Sequence, residues 1–178
     1  MKTSIPAILI FLFMACIPPT SAAQESGDRF SDQFTRHFDS ASMRILSLAG
    51  AMPEEYYSWR PGEEVMSFAE VCMHITRYNY YYPVVTLGYP APEGIDLDNL
   101  ESVTGKETIL EELERSIEYV RDVIGDIPEA GFSEPAQLYG REVTVQAVFM
   151  QLITHKSEHL GQSIAYARTN GIVPPWSQ

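Results

Sequence analysis

The sequence predicts an all-α protein, a four-helix bundle, and three observations support this prediction. Four stretches place apolar residues at every third or fourth position, which is the period of a helix with one buried face. No stretch sustains the alternation of apolar and polar residues that is typical of a half-exposed strand. Connections rich in glycine, proline and acidic residues separate the last three stretches, so we expect helices joined by two longish loops.

The predicted helices cover, in order, residues 28–51, 67–87, 105–125 and 143–170. Pro83 should end or kink the second helix, because proline lacks a backbone N–H and clashes with the preceding turn. Thr104 and Glu107 have the spacing of a capping box at the start of the third helix. Gly171, followed by Pro174, indicates the end of the fourth. At most one short pair of strands is expected, around residues 132–144.

The N-terminal segment, residues 1–23, has the features of a secretory signal peptide. A lysine precedes the apolar run IPAILIFLFMAC, and small residues lead to a cleavage site near Ala23. The run is too short to favour a membrane-spanning helix, although an uncleaved interfacial anchor and a lipid anchor through Cys16 are alternatives. We therefore predict an exported protein, periplasmic or secreted, whose mature chain is one domain of residues 24–178 and has no stable membrane span.

Charge and cysteine content narrow the functional classes further. The chain carries 24 acidic and 12 basic residues, and loss of Lys2 leaves 11 minus 24, a net charge of −13. The basic residues are scattered, so nucleic-acid binding is not expected. Cys72 would be the single cysteine after cleavage, which excludes an internal disulfide. Its apolar surroundings favour a buried thiol over a reactive nucleophile.

The segment THKSEHLGQ, residues 154–162, raises the question of a metal site. His155 and His159 are four residues apart, so on a helix both imidazoles face the same side about one turn apart. Two ligands are too few for a catalytic zinc-like site, which needs about three protein ligands and an open position. The string also matches the H-x-x-E-H pattern of inverted zinc peptidases, but no carboxylate follows His159 to complete such a site.

A third ligand must therefore come from the preceding part of the chain, where two histidines remain. His74 lies in the middle of the predicted second helix, in an apolar and aromatic stretch where its ring nitrogens need partners. A metal ion shared by His74, His155 and His159 would satisfy that need. The alternative is that His155 and His159 are surface or core histidines bonded to carbonyls. His37, beside Arg36, has no evident role beyond structure.

Two blocks of sequence resemble the DinB-like superfamily. The blocks are YYSWRPGEEVMSFAEVCMHITRYNYYY, residues 56–82, and ITHKSEHLGQSIAYARTNGIVPP, residues 153–175. The resemblance implies an up-up-down-down four-helix bundle, often a homodimer, that binds a divalent transition metal, most often nickel or zinc, through His74, His155 and His159. Related branches transfer a low-molecular-weight thiol or isomerise with its help. Such thiols are cytosolic, so the predicted export argues against that chemistry here.

The expected chemistry is that of a metal-dependent hydrolase or transferase acting on an unidentified small molecule. Such an ion activates a bound water, and a nearby carboxylate would serve as general base. Glu70, one turn before His74, is the first candidate, and Glu158 is the second. Each could instead orient a histidine, or be a solvated surface acid. Residues that could line or cap the pocket, or only pack, are Tyr78, Tyr81, Tyr82 and Gln162. The alternative function is a non-catalytic metal- or ligand-binding or stress-related bundle.

Overall fold

A computed structural model describes residues 29–178 of the chain. The predicted signal peptide, its cleavage site and Cys16 lie outside these residues. The helices are α1 (Phe30–Ala51), α2 (Phe68–Tyr81), α3 (Lys106–Asp126) and α4 (Val145–Thr169). A hairpin of β1 (Pro135–Leu138) and β2 (Arg141–Thr144) precedes α4, with Pro135 paired to Thr144. Four helices and one short strand pair within 132–144 were both predicted, and both predictions are confirmed.

The helices pack so that α1 contacts α3 and α4, and α2 contacts the same two helices. Helices α1 and α2 therefore lie diagonally opposite each other across the bundle. Contacts along α1 and α4 advance together, because Phe34 meets Phe149 and Ser42 meets Lys156. These two helices consequently run parallel.

The other contacts show that the predicted up-up-down-down order is wrong. Lys106 at the start of α3 donates to the Gly50 carbonyl at the end of α1, and Asp39 near the middle of α1 pairs with Arg121 late in α3, so these helices are antiparallel. The carbonyl of Met66, just before α2, accepts a hydrogen bond from Tyr166 near the end of α4, so that pair is antiparallel too. The order is up-down-down-up. The physical reason is the long connection over 82–105, which leaves room for α3 to start at the same end of the bundle as α2.

Helices α2 and α3 begin with different caps. Ser67 and Glu70 form a capping box at the start of α2. The predicted box at Thr104 and Glu107 is wrong, because α3 starts after Gly105, whose φ of 89° is readily accessible to glycine. At the other end of α2 a π-helical turn, Tyr82–Thr86, accommodates Pro83 as the predicted kink.

The core is rich in aromatic side chains from α1, α2, α4 and the segment before the hairpin. Phe34 stacks on Phe38 and meets Phe149 edge-on, and Phe132 packs against Phe149 from the loop after α3. Cys72 is fully buried, and burial raises the pKa of its thiol to about 12, as expected for a core thiol. Within residues 29–178, no helix combines the length and the apolar character that crossing a membrane would require.

Candidate metal centre

Three histidines converge where α2 and α4 pack against each other. His74 lies in the middle of α2, and His155 and His159 lie on successive turns of α4. One ring nitrogen from each lies within 4.8 Å of the other two. The Nε2 atoms of His74 and His155 are 3.1 Å apart. The structure thus brings together the three residues that the sequence suggested as ligands.

The spacing of these nitrogens suits one small divalent ion. Imidazole nitrogens bind zinc at roughly 2.0–2.1 Å, and two of them at a tetrahedral angle lie about 3.4 Å apart. The 3.1 Å between the Nε2 atoms of His74 and His155 is close to that value. An all-imidazole donor set suits zinc, nickel, copper or iron. The residues therefore fit a transition metal, without selecting one.

The outer ring nitrogens of two histidines have hydrogen-bond partners. Nδ1 of His74 lies 2.6 Å from Oε1 of Glu101, and Nδ1 of His159 lies 2.8 Å from Oε1 of Gln162. The Gln162 amide in turn donates to the hydroxyl of Tyr166. Such partners fix the orientation of a ligating imidazole and leave its Nε2 atom free for an ion.

The surroundings favour the neutral forms of His155 and His74. Burial, together with the charges of His159 and His74, lowers the pKa of His155 to about 3. Burial also lowers the pKa of His74, although the hydrogen bond to Glu101 acts in the opposite direction. A neutral imidazole has the lone pair that a metal ion needs, so both side chains are available as ligands at neutral pH.

Tyrosine rings cover the side of the cluster toward the C-terminal end of α2. The ring centroid of Tyr78 lies 4.2 Å from that of His155 and 4.7 Å from that of His74. Tyr82 lies 6.1 Å from His155, and its hydroxyl is 2.7 Å from the hydroxyl of Tyr139 at the tip of the hairpin. Tyr78 and Tyr82, two of the three tyrosines that were candidates for pocket lining, are thus next to the histidines. The third, Tyr81, contacts the rings of Tyr78 and Tyr82, and Tyr139 is an addition from the hairpin.

Of the two carboxylates predicted as general bases, one is paired at the start of α2 and the other is exposed. Glu70 accepts the Ser67 backbone N–H at 2.6 Å and pairs with Arg60 at 3.0 Å, and the first of these bonds lowers its carboxyl pKa. Glu158 is exposed to solvent on α4. Neither carboxylate belongs to the three-residue ligand cluster found among residues 29–178. His37, left as structural, is exposed on α1.

Glu101 is the residue at the site that the sequence did not reveal. It lies 27 positions from His74, on a short 3₁₀ turn in a connection with no periodic pattern. Glu101 also lines a cleft of about 380 Å³ together with Arg60, Glu70 and Lys106. None of the three histidines lines this cleft, so Glu101 connects the two features. Only the acidic character of its loop could have indicated it.

The fold and the site define the class of this protein: a four-helix bundle with a three-histidine candidate metal centre between two helices. Comparison with known proteins gives the family. The sequence model of the DinB superfamily matches residues 37–163, and the chain belongs to that superfamily. The resemblance stated from the sequence is therefore confirmed.

Individual relatives agree with this assignment. The uncharacterized protein YjoA of Bacillus subtilis is 28% identical over 148 residues, covering 79% of this chain and 91% of its own. Its crystal structure superposes with a TM-score of 0.64 at 22% identity, covering 82% of this chain and 97% of its own. A DinB-like protein from Bacillus cereus gives a TM-score of 0.69 at 15% identity, covering 81% of this chain and 95% of its own.

One further structural neighbour carries a functional description. YfiT from Bacillus subtilis, described as a probable metal-dependent hydrolase with an unusual four-helix bundle topology, gives a TM-score of 0.63 at 12% identity. The match covers 88% of this chain and 94% of YfiT. At this identity the likeness establishes the shared fold.

Proposed function

We propose that this protein binds one divalent transition metal, nickel or zinc, through His74, His155 and His159, and uses it as a hydrolase or transferase acting on a small molecule. The observation that carries the proposal is the convergence of three imidazole nitrogens within 4.8 Å of one another, contributed by two helices. The description of YfiT, which shares the fold, also supports a metal-dependent hydrolase.

The chain's own residues would hold the ion and leave one side of it accessible. His74, His155 and His159 would supply three imidazole ligands, which would leave the ion a position for water or substrate. Bound there, the ion would lower the pKa of that water to roughly 7 and polarise a substrate carbonyl. The rings of Tyr78 and Tyr82 cover one side of the ligand cluster. On the other side, Glu101 links His74 to the cleft.

Elemental analysis of the protein, purified without a histidine tag, tests the site directly. We expect about one equivalent of a transition metal in the parent and none in the His155→Ala/His159→Ala variant. His37→Ala is the matched control, because it removes an exposed histidine away from the cluster and should retain the metal. Absence of metal from the parent, even after incubation with zinc and nickel, would refute the metalloenzyme proposal.

A second candidate, a binding protein without turnover, is favoured by one observation. Each candidate acid is occupied or faces solvent: Glu70 is bonded to the Ser67 N–H and to Arg60, Glu158 is exposed, and Glu101 is hydrogen-bonded to His74. Substitution of cobalt(II) followed by titration with acetohydroxamate separates the two candidates. A change in the visible spectrum indicates an exchangeable position and supports the enzyme, whereas an unchanged spectrum indicates a closed coordination sphere and supports the binding protein.

Export, and self-association as a homodimer, are also proposed, on the sequence pattern of residues 1–23 and on the family resemblance. A shorter protein in the periplasm or medium, with an N-terminus near Gln24, is the expected result of N-terminal sequencing. Retention of the full-length chain in the cytosol would contradict export.

Light scattering would determine the oligomeric state, and a monomer would refute the homodimer. We expect no nucleic-acid binding, since the chain has a net charge of −12.

A further inference from the structure

Glu101 stands out because it is the single acidic side chain hydrogen-bonded to a candidate ligand among the described contacts. We propose that Glu101 is a positioning residue that holds His74 in the tautomer with the proton on Nδ1 and so makes its Nε2 atom available to the metal. This inference rests on the proposed function, since it concerns the same three histidines. It adds a residue to the site that acts through a ligand and does not itself bind the ion.

The geometry fixes which atom carries the proton. Oε1 of Glu101 lies 2.6 Å from Nδ1 of His74, which is the short distance of a charge-assisted hydrogen bond. A carboxylate can only accept, so the ring must donate from Nδ1. The lone pair then resides on Nε2, the atom that faces Nε2 of His155 at 3.1 Å. A carboxylate partner also makes the imidazole a more basic, stronger ligand.

The loop holds the carboxylate in place before any metal binds. Leu100, next to Glu101, is buried in the core, and Ser102 on its other side donates to the Asn99 carbonyl at 2.6 Å. Arg77 on α2 donates to the Leu97 carbonyl at 3.1 Å, which ties the loop to the helix that bears His74. Because the loop is already held in this position, ion binding does not have to order it.

Zinc affinity, measured by competition with a chromophoric chelator, gives the first test. Glu101→Ala should weaken zinc binding about 10- to 100-fold, the usual effect of removing such a partner. Glu101→Gln should recover most of that affinity, because its amide oxygen can still accept the Nδ1 proton. Glu93→Ala is the matched control, since Glu93 is an exposed glutamate in the same loop and its loss removes the same charge. It should bind zinc as the parent does.

The tautomer of His74 gives a second readout that does not depend on metal. Long-range ¹H–¹⁵N correlation spectra of the metal-free protein should show the proton on Nδ1 in the parent and in Glu101→Gln. In Glu101→Ala the proton should move to Nε2. An unchanged tautomer in Glu101→Ala, zinc affinity equal to the parent, or an equal loss in Glu93→Ala would each overturn the inference. If the parent has the predicted tautomer but binds no metal, the proposed function fails while the orienting contact stands.

Discussion

Two adjacent residues of α4, His155 and Lys156, place their polar groups in very different surroundings. His155 faces α2 and joins a cluster of imidazoles, whereas Lys156 faces α1 and lies in the apolar core. Successive residues on a helix point about 100° apart, so neighbours in sequence can serve different faces of the bundle. The comparison separates a polar group placed for chemistry from a polar group that packing tolerates.

Lys156 is buried with few compensating contacts. Only 1% of its surface is exposed. Its Nζ atom donates to Oγ of Ser42 at 2.7 Å and lies 3.4 Å from the ring centroid of Phe38. Burial lowers the pKa of the amine well below its usual value, with Arg121 acting in the same direction and Asp39 against it. Burial therefore disfavours the charged form of this amine in the folded state.

On the face of α4 that is directed toward α2, the polar side-chain atoms have more hydrogen-bond partners than Lys156 has. Glu101 and Gln162 accept from the outer nitrogens of two rings, and Glu101 continues to a cleft. A chain of partners that leads toward solvent is typical of a functional site, whereas Lys156 has one hydroxyl and one ring. We therefore regard the face toward α2 as the site and Lys156 as part of the structure.

Loss of metal-dependent stability is the largest effect that this comparison predicts. An ion that binds only the folded state stabilises it by about 2.7 kcal/mol when its free concentration is 100 times the dissociation constant. We expect that gain from zinc in the parent and none in the His155→Ala/His159→Ala variant. Urea unfolding with and without zinc measures it.

The matched control for that experiment is Lys156→Met, which changes the adjacent residue on the other face of α4. It should respond to zinc as the parent does. If zinc stabilised the double variant as strongly as the parent, the ion would be bound somewhere else on the chain.

A pH-dependent change in stability is the next largest effect, and it belongs to the lysine face. Because the folded state lowers the pKa of Lys156, the unfolded state binds more protons between that lowered pKa and about pH 10.4. Stability of the parent should therefore rise with pH, by up to about 1.4 kcal/mol per pH unit, from this group alone. Lys156→Met lacks the titrating amine, so the stability of the parent relative to this variant should rise from pH 7 to pH 9.

Urea unfolding of both proteins at the two pH values, with a chelator present, checks this prediction. The difference between parent and variant isolates Lys156 from other groups that titrate in the same range. A difference that stays constant between pH 7 and pH 9 would mean that the amine is charged in the folded core.

Features that depend on residues close in sequence were predicted correctly, whereas features that depend on long-range contacts were not. Periodicity located all four helices, and the i, i+4 spacing placed His155 and His159 on one face, because both depend on residues close in sequence. Helix direction was predicted wrongly, since it depends on the path of the loop over 82–105. Glu101 was missed for the same reason: its contact with His74 is made by that loop.

The smallest predicted effect concerns Gln162, the neutral counterpart of Glu101. Gln162→Leu removes the acceptor 2.8 Å from Nδ1 of His159 while keeping a side chain of similar size. The cost in zinc affinity should be at most about 10-fold, the lower end of the usual range for such partners. The ring of His159 also packs against those of His155 and His74, with centroids 4.5 and 4.6 Å away, so its orientation does not depend on Gln162 alone.

Competition with the same chelator measures this effect beside Glu101→Ala. Gln146→Leu is the matched control, because Gln146 is exposed near the start of α4 and its loss should not change zinc affinity. A larger loss from Gln162→Leu than from Glu101→Ala would reverse the ranking of the two partners. The orientation of His159 would then matter more for zinc affinity than the contact between Glu101 and His74. The hydrogen bonds from Gln162 to Tyr166 and from Tyr166 to the Met66 carbonyl would be the main support of that orientation.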